Sequence, residues 1–187
     1  MAHQSIDYGS RLWWYGEGLW GRRRYNERDQ KLSVVERGAA NLVGSVQANG
    51  RHSPALDIDY PVATMPLPRG TTLVTVCRAA LPAGIARVER WLQTQGWLDA
   101  DAHYALEPGW VGFALKVEVA VRASSTPGHH HVFINQSLPT PNYQSLLDAL
   151  VACDLVAVDF AGLLRSYGMT CVVAPGVSKP QAELLHR

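Results

Sequence analysis

Residues 111–134 read VGFALKVEVAVRASSTPGHHHVFI, and this stretch decides the fold. Residues 111–121 alternate valine and alanine around Lys116 and Glu118, which is typical of a β-strand. A turn of serine, threonine, proline and glycine follows, and residues 131–134 are again extended. We therefore predict two adjacent strands joined by a turn.

The flanking segments predict further strands and helices. Residues 55–60 (ALDIDY) alternate apolar with acidic side chains and predict a strand that carries both aspartates on one face. The hydrophobic pattern also predicts strands over 71–77 and 169–173, and helices over 31–42, 83–98 and 142–151. Strands interleaved with a few helices indicate an α+β or mixed α/β domain.

Length and composition favour a compact protein with little net charge. The 187 residues are 47% hydrophobic and 18% charged, which is enough for one sizeable core. The 17 basic and 16 acidic residues exclude a histone-like protein and an acidic tail, so any polyanion must bind at local basic patches. We expect an N-terminal arm over residues 1–30 and a single domain over residues 31–187.

Cysteine usage and hydropathy bear on the compartment. The three cysteines, Cys77, Cys153 and Cys171, lack CxxC spacing, which argues against a disulfide framework and a cysteine-ligated zinc. The N-terminus lacks a basic region followed by an apolar run, and no stretch approaches the length of a membrane span. These patterns favour a cytoplasmic protein with no membrane partner.

The sequence Asp57-Ile58-Asp59 is a candidate metal site. Side chains alternate across a strand, so both carboxylates project from one face about 7 Å apart. That spacing suits one or two hard cations such as Mg²⁺ or Mn²⁺ placed against a substrate phosphate. The alternative interpretation is a solvated strand face, on which acidic residues also alternate with apolar ones.

Three consecutive histidines enter the predicted strand that ends the quoted stretch. Alternation places His129 and His131 on one face and His130 on the other. The preceding turn, which contains Ser125, offers hydroxyl and backbone N–H groups to an anion. Surface histidines, or a Zn²⁺ or Ni²⁺ site without biological meaning, are the alternative interpretations.

The arm mixes arginine with aromatic residues. Arg22, Arg23 and Arg24 lie next to Trp20 and Tyr25. Arginine neutralises phosphates and aromatic rings stack on bases, a combination that suits single-stranded nucleic acid. The same residues suit core packing, self-association or a protein partner, because tryptophan, tyrosine and arginine also dominate protein interfaces.

The two motifs together resemble the archaeo-eukaryotic primase superfamily, especially the primase-polymerase modules of phages and plasmids. The Asp57-Ile58-Asp59 strand resembles that family's first motif, and the turn leading to His131-Val132-Phe133-Ile134 resembles its second. The third motif, an apolar residue followed by aspartate, is represented by the run ending at Asp159. The resemblance implies an α+β fold with an RRM-like mixed or antiparallel sheet and helices packed on one face.

The resemblance also implies a function and its residues. Asp57 and Asp59, with Asp159, would ligate Mg²⁺ or Mn²⁺, and His131 would contact the phosphates of an incoming nucleotide. Ser125, His129, Arg165 and Lys179 would bind the substrate. The expected activity is metal-dependent nucleotidyl transfer on a single-stranded template, and the alternative is a non-catalytic phage-type accessory protein that binds nucleic acid or a protein partner.

Overall fold

The computed structural model describes residues 42–47, 49–78, 82–124 and 126–173, together with two short strands before them. The strands are β1 (Gln4–Ser5), β2 (Trp14–Tyr15), β3 (Leu42–Gly44), β4 (Ala55–Ile58), β5 (Val62–Pro66), β6 (Thr72–Val76), β7 (Val111–Leu115), β8 (Val119–Ala123), β9 (His130–Ile134) and β10 (Cys171–Val173). The helices are α1 (Pro82–Thr94), α2 (Thr140–Ala152) and α3 (Val158–Tyr167).

The described strands form three antiparallel sheets. Their orders are β1-β2-β3-β10, β4-β9-β8 and β5-β6-β7. Strands β8 and β9 form the predicted hairpin, with Val119 opposite Ile134 and Ala123 opposite His130. The mixture of antiparallel sheets and helices confirms the α+β class predicted from the sequence.

One hydrophobic core lies between the strands and the helices. Strand β4 contributes Leu56 and Ile58, and β9 contributes Val132 and Ile134. They pack with buried residues of the helices, among them Val88, Leu92, Leu146 and Leu150. Because side chains alternate along a strand, Asp57 and His131 belong to the opposite face, away from the helical layer.

A buried polar cluster fixes the start of β4. The Tyr143 hydroxyl, on α2, donates to the carbonyl oxygen of Ala55 at 3.2 Å, and the Thr170 hydroxyl donates to the same oxygen at 3.2 Å. The ring of His52 stacks on Tyr143 at 5.2 Å between centroids. Burial raises the pKa of the Tyr143 hydroxyl well above its ordinary value, so it remains a donor. Helix α2 therefore holds β4 two residues before Asp57.

Several sequence predictions need correction. The predicted strand over 111–121 is two strands, β7 and β8, which belong to different sheets. Leu42 lies in β3 and not in a helix, and the rest of the helix predicted over 31–42 falls outside the described residues. The arm predicted over residues 1–30 stays a prediction, because it lies outside the described residues except for the short strands β1 and β2.

Two of the predicted helices agree with expectation. Helices α1 and α2 occupy the predicted segments, with boundaries shifted by a few residues. Cys153, which follows α2, is 1% exposed, and burial raises the pKa of its thiol. Among the described helices, none has the length and apolar character that crossing a membrane requires.

Candidate metal centre

The antiparallel register of β4 and β9 brings the two sequence motifs together. Asp57 lies directly opposite His131, and Ile58 lies opposite His130. Continued by one residue, this register sets Asp59 opposite His129. The two motif strands are hydrogen-bonded neighbours in one sheet.

Two carboxylate–imidazole contacts follow from this register. The distance from His129 Nδ1 to Asp59 Oδ1 is 3.0 Å, and the distance from His131 Nε2 to Asp57 Oδ1 is 3.6 Å. The first is within hydrogen-bonding distance, and the second is too long for a good hydrogen bond. Both histidines therefore face the carboxylates, as strand alternation predicted.

Asp57, Asp59 and His129 form a group that could hold a metal ion. Each offers one ligand atom, and these atoms all lie within 4.8 Å of one another. Asp57 and His129 are half-buried and Asp59 is exposed, so a ligand can reach all three residues. Two carboxylate oxygens and one imidazole nitrogen form a donor set suited to a divalent cation.

Asp57 supplies a second indication that a cation fits here. Its Oδ1 is buried and accepts no hydrogen bond from the part of the chain that the structure describes. A buried carboxylate oxygen without a donor is costly, and a cation bound beside it would remove that cost. The residues present therefore fit a divalent metal ion.

The other two histidines have different surroundings. His131 is 3% exposed, and its ring contacts Phe133 edge-on at 6.4 Å between centroids. It lies beside the three-residue group without belonging to it. His130 Nδ1 accepts a hydrogen bond from the backbone N–H of Val62, the first residue of β5, at 3.3 Å. His130 therefore packs away from the carboxylates.

Arg122 is a site residue that sequence reasoning missed. It lies directly opposite His131 on β8, and directly opposite residues of neighbouring strands share a face. Asp57, His131 and Arg122 therefore form one row across three strands. Arg122 is exposed, and its Nη1 donates to the Val121 carbonyl oxygen at 2.9 Å. The predicted hairpin could have identified Arg122 from the sequence. A hairpin whose turn spans residues 124–129 pairs Arg122 with His131.

Two further sequence-predicted site residues lie on α3. Asp159, which the resemblance implied as a metal ligand, is exposed in the first turn of this helix and is not a member of the metal-competent group. Arg165 donates from Nη2 to Asp148 Oδ1 at 2.6 Å. The remaining predicted site residues lie outside the described residues: Trp20, Arg22, Arg23, Arg24, Ser125 and Lys179.

The assignment of His129 as a ligand predicts unequal effects for two adjacent histidines. We expect His129→Ala to weaken Mn²⁺ binding by at least about tenfold, since losing a direct ligand costs no less than losing a supporting partner. The matched variant His130→Ala should stay within about twofold, because this ring lies on the other face. Isothermal titration calorimetry measures both affinities. Loss of binding in His130→Ala alone would mean that the register is wrong by one residue.

Comparison with protein families found no family that matches this chain. Neither the curated proteins nor the solved structures contain a match.

Proposed function

We propose that this chain is a metal-dependent nucleotidyltransferase of the primase-polymerase type, acting on a single-stranded template with Mn²⁺ or Mg²⁺. The observation that carries the proposal is the meeting of Asp57 and Asp59 with His129 and His131 on one face of one sheet. The resemblance of both motifs to the primase superfamily supports it. Primer synthesis and extension on a single-stranded template tests this function directly.

The carboxylates and His129 bind the cation in this proposal. Asp57 and Asp59 supply two negative charges, and His129 supplies a neutral nitrogen. When bound, the ion stabilises the charge that develops on a transferred phosphoryl group and orients the attacking hydroxyl. The imidazole nitrogen favours Mn²⁺ over Mg²⁺, because Mg²⁺ prefers oxygen ligands.

His131 and Arg122 bind the substrate's phosphates. They occupy the row that starts at Asp57, so a phosphate near the carboxylates and their cation also faces these two side chains. The planar guanidinium of Arg122 can hold two phosphate oxygens. His131 is held rigidly by burial, which orients a donor at low entropic cost.

Arg122→Gln tests this role. We expect KM for the nucleotide to rise by about 10- to 100-fold, because a charge-assisted phosphate contact is lost. Mn²⁺ affinity should change by less than about threefold, since the ligands are untouched. Arg69→Gln is the matched control, because Arg69 is an exposed arginine in the turn Pro68–Gly70. Steady-state kinetics and calorimetry measure the two effects, and equal KM values for both variants would contradict the assignment.

One observation favours a second candidate function. The third carboxylate expected of a nucleotidyltransferase, Asp159, lies on α3 and outside the metal-competent group. With two carboxylates, the site can bind a cation and a phosphate without catalysing transfer, as expected of an accessory protein that binds nucleic acid or a protein partner. Metal-dependent nucleotide binding without any primer synthesis or extension would support this alternative.

A further inference from the structure

A second candidate binding site lies on the helical side of the molecule. A groove of about 440 Å³ runs between α1 and α2. Its lining consists of Arg87, Arg90, Trp91, Thr94, Gln95, Pro141, Asn142, Ser145 and Ala149. The two helices pack on the core face of the strands, and Asp57 and Asp59 belong to the other face. The groove is therefore separate from the metal centre.

Each helix presents one stripe of residues to the groove. Arg87, Arg90, Trp91 and Thr94 follow the spacing i, i+3, i+4 and i+7, which places them on one side of α1. Asn142, Ser145 and Ala149 follow the spacing i, i+3 and i+7, which places them on one side of α2. Two cations and an indole thus face an amide and a hydroxyl across the groove.

The two arginines are not neutralised by the described residues. Both are exposed, and neither makes an ion pair within the described part of the chain. They lie three residues apart on α1, where like charges repel. Among the described residues, no acidic side chain lines the groove, and Glu89 lines a different groove with Asp99. The local charge is therefore complementary to an anion.

The aromatic and polar groups of the groove are held in place. Trp91 contacts the buried ring of Trp97 edge-to-face, with centroids 5.1 Å apart and planes at 85°. The Asn142 side-chain amide donates to Gln95 Oε1 at 3.2 Å, which ties α2 to the end of α1. A fixed indole beside two guanidinium groups suits a ligand that has both a flat ring and a phosphate.

We propose that the α1–α2 groove binds a nucleoside phosphate, with the phosphate between Arg87 and Arg90 and the base against Trp91. The groove volume lies within the usual range for small-ligand sites. The same chemistry is offered by a free mononucleotide and by one nucleotide of a single strand. This site needs no metal ion, so it is independent of the proposed nucleotidyltransferase activity.

Equilibrium binding to the full chain in EDTA tests the proposal, because chelation removes any contribution from the metal centre. The probes are adenosine 5′-monophosphate, ribose 5-phosphate, inorganic phosphate and a short oligothymidylate. We expect adenosine 5′-monophosphate to bind at least about fivefold more tightly than ribose 5-phosphate, because base stacking adds affinity. Tighter, strongly salt-dependent binding of the oligothymidylate would identify the strand as the source, and equal or weaker binding would identify the free nucleotide.

The variants separate this groove from general charge effects. Arg87→Gln/Arg90→Gln should weaken adenosine 5′-monophosphate binding by about tenfold or more, and Ser145→Asp should weaken it from the opposite helix. Arg69→Gln/Lys116→Gln removes the same charge elsewhere on the exposed surface and should change binding by less than about twofold. The proposal is overturned by equal affinities for adenosine 5′-monophosphate and ribose 5-phosphate. It is also overturned if the control pair weakens binding as much as the groove pair does.

Discussion

Replacing Asp57 and Asp59 together by asparagine is expected to reduce primer synthesis and extension by at least about three orders of magnitude. The change keeps the shape of both side chains and removes both negative charges, so it acts on cation binding and not on packing. Asp57 Oδ1 is already buried without a hydrogen bond among the described residues, so loss of its charge should not weaken the fold. Activity is measured with Mn²⁺ and with Mg²⁺, and Mn²⁺ affinity is measured by calorimetry.

The matched control for this pair is Asp101→Asn. Asp101 is an exposed aspartate in a turn and lies outside the metal-competent group. It should retain wild-type activity and metal affinity. Unchanged activity in the Asp57→Asn/Asp59→Asn protein would contradict the proposed nucleotidyltransferase, whatever the resemblance of the motifs. If the wild-type protein shows no primer synthesis or extension, and the double variant loses Mn²⁺ binding, the accessory protein is the better assignment.

The two aspartates and two histidines of the candidate site were predictable because their common face follows from strand alternation. Asp57 and Asp59 share a face whenever residues 55–60 are extended, and His129 and His131 share one by the same rule. The register of β4 with β9 then brings the two aspartates and the two histidines together. The missing step was the register of β8, which brings Arg122 to the same row.

Other features carried no local signal. Strand β5 has one buried residue followed by four exposed ones, so its sequence lacks the alternation that marks a strand. It is extended because each residue from Val62 to Pro66 pairs with β6. The break between β7 and β8 was hidden because both segments, VGFAL and VAVRA, are rich in apolar residues that suit a strand.

Helix α3 shows how a short motif can mislead. Residues 155–159 look like the end of a strand, but Ala161 and Leu164 are buried three residues apart, as on a helix face. Gly168, with φ of 75°, then ends the helix in the left-handed conformation. The helical spacing of the residues after Asp159 decides the local structure. The short apolar run before it does not by itself distinguish a strand from a helix.

The second large expected effect is a loss of stability when Gly84 is replaced by alanine, because Gly84 lies where α1 packs against the end of α2. A Cβ atom at this position would lie 2.5 Å from Cys153 Cβ and 2.8 Å from the carbonyl oxygen of Ala152. Cys153 is 1% exposed, and its Sγ donates to the Leu150 carbonyl oxygen at 3.3 Å, so it has little room to move. Gly84→Ala should therefore lower the free energy of unfolding by about 2–3 kcal/mol.

Replacing Gly162 by alanine should stabilise the protein, which is the opposite of the effect expected at Gly84. Gly162 lies inside α3, and a Cβ atom there would meet nothing within 4 Å. Gly162→Ala should raise the free energy of unfolding by about 0.5–1 kcal/mol, because alanine has the higher helix propensity. Urea unfolding measures both changes in the free energy of unfolding, and we expect the m-value to stay unchanged in both variants. A Gly84→Ala protein as stable as wild type would show that the helices can separate at low cost, and the groove between Arg87 and Ser145 would then not be a fixed binding site.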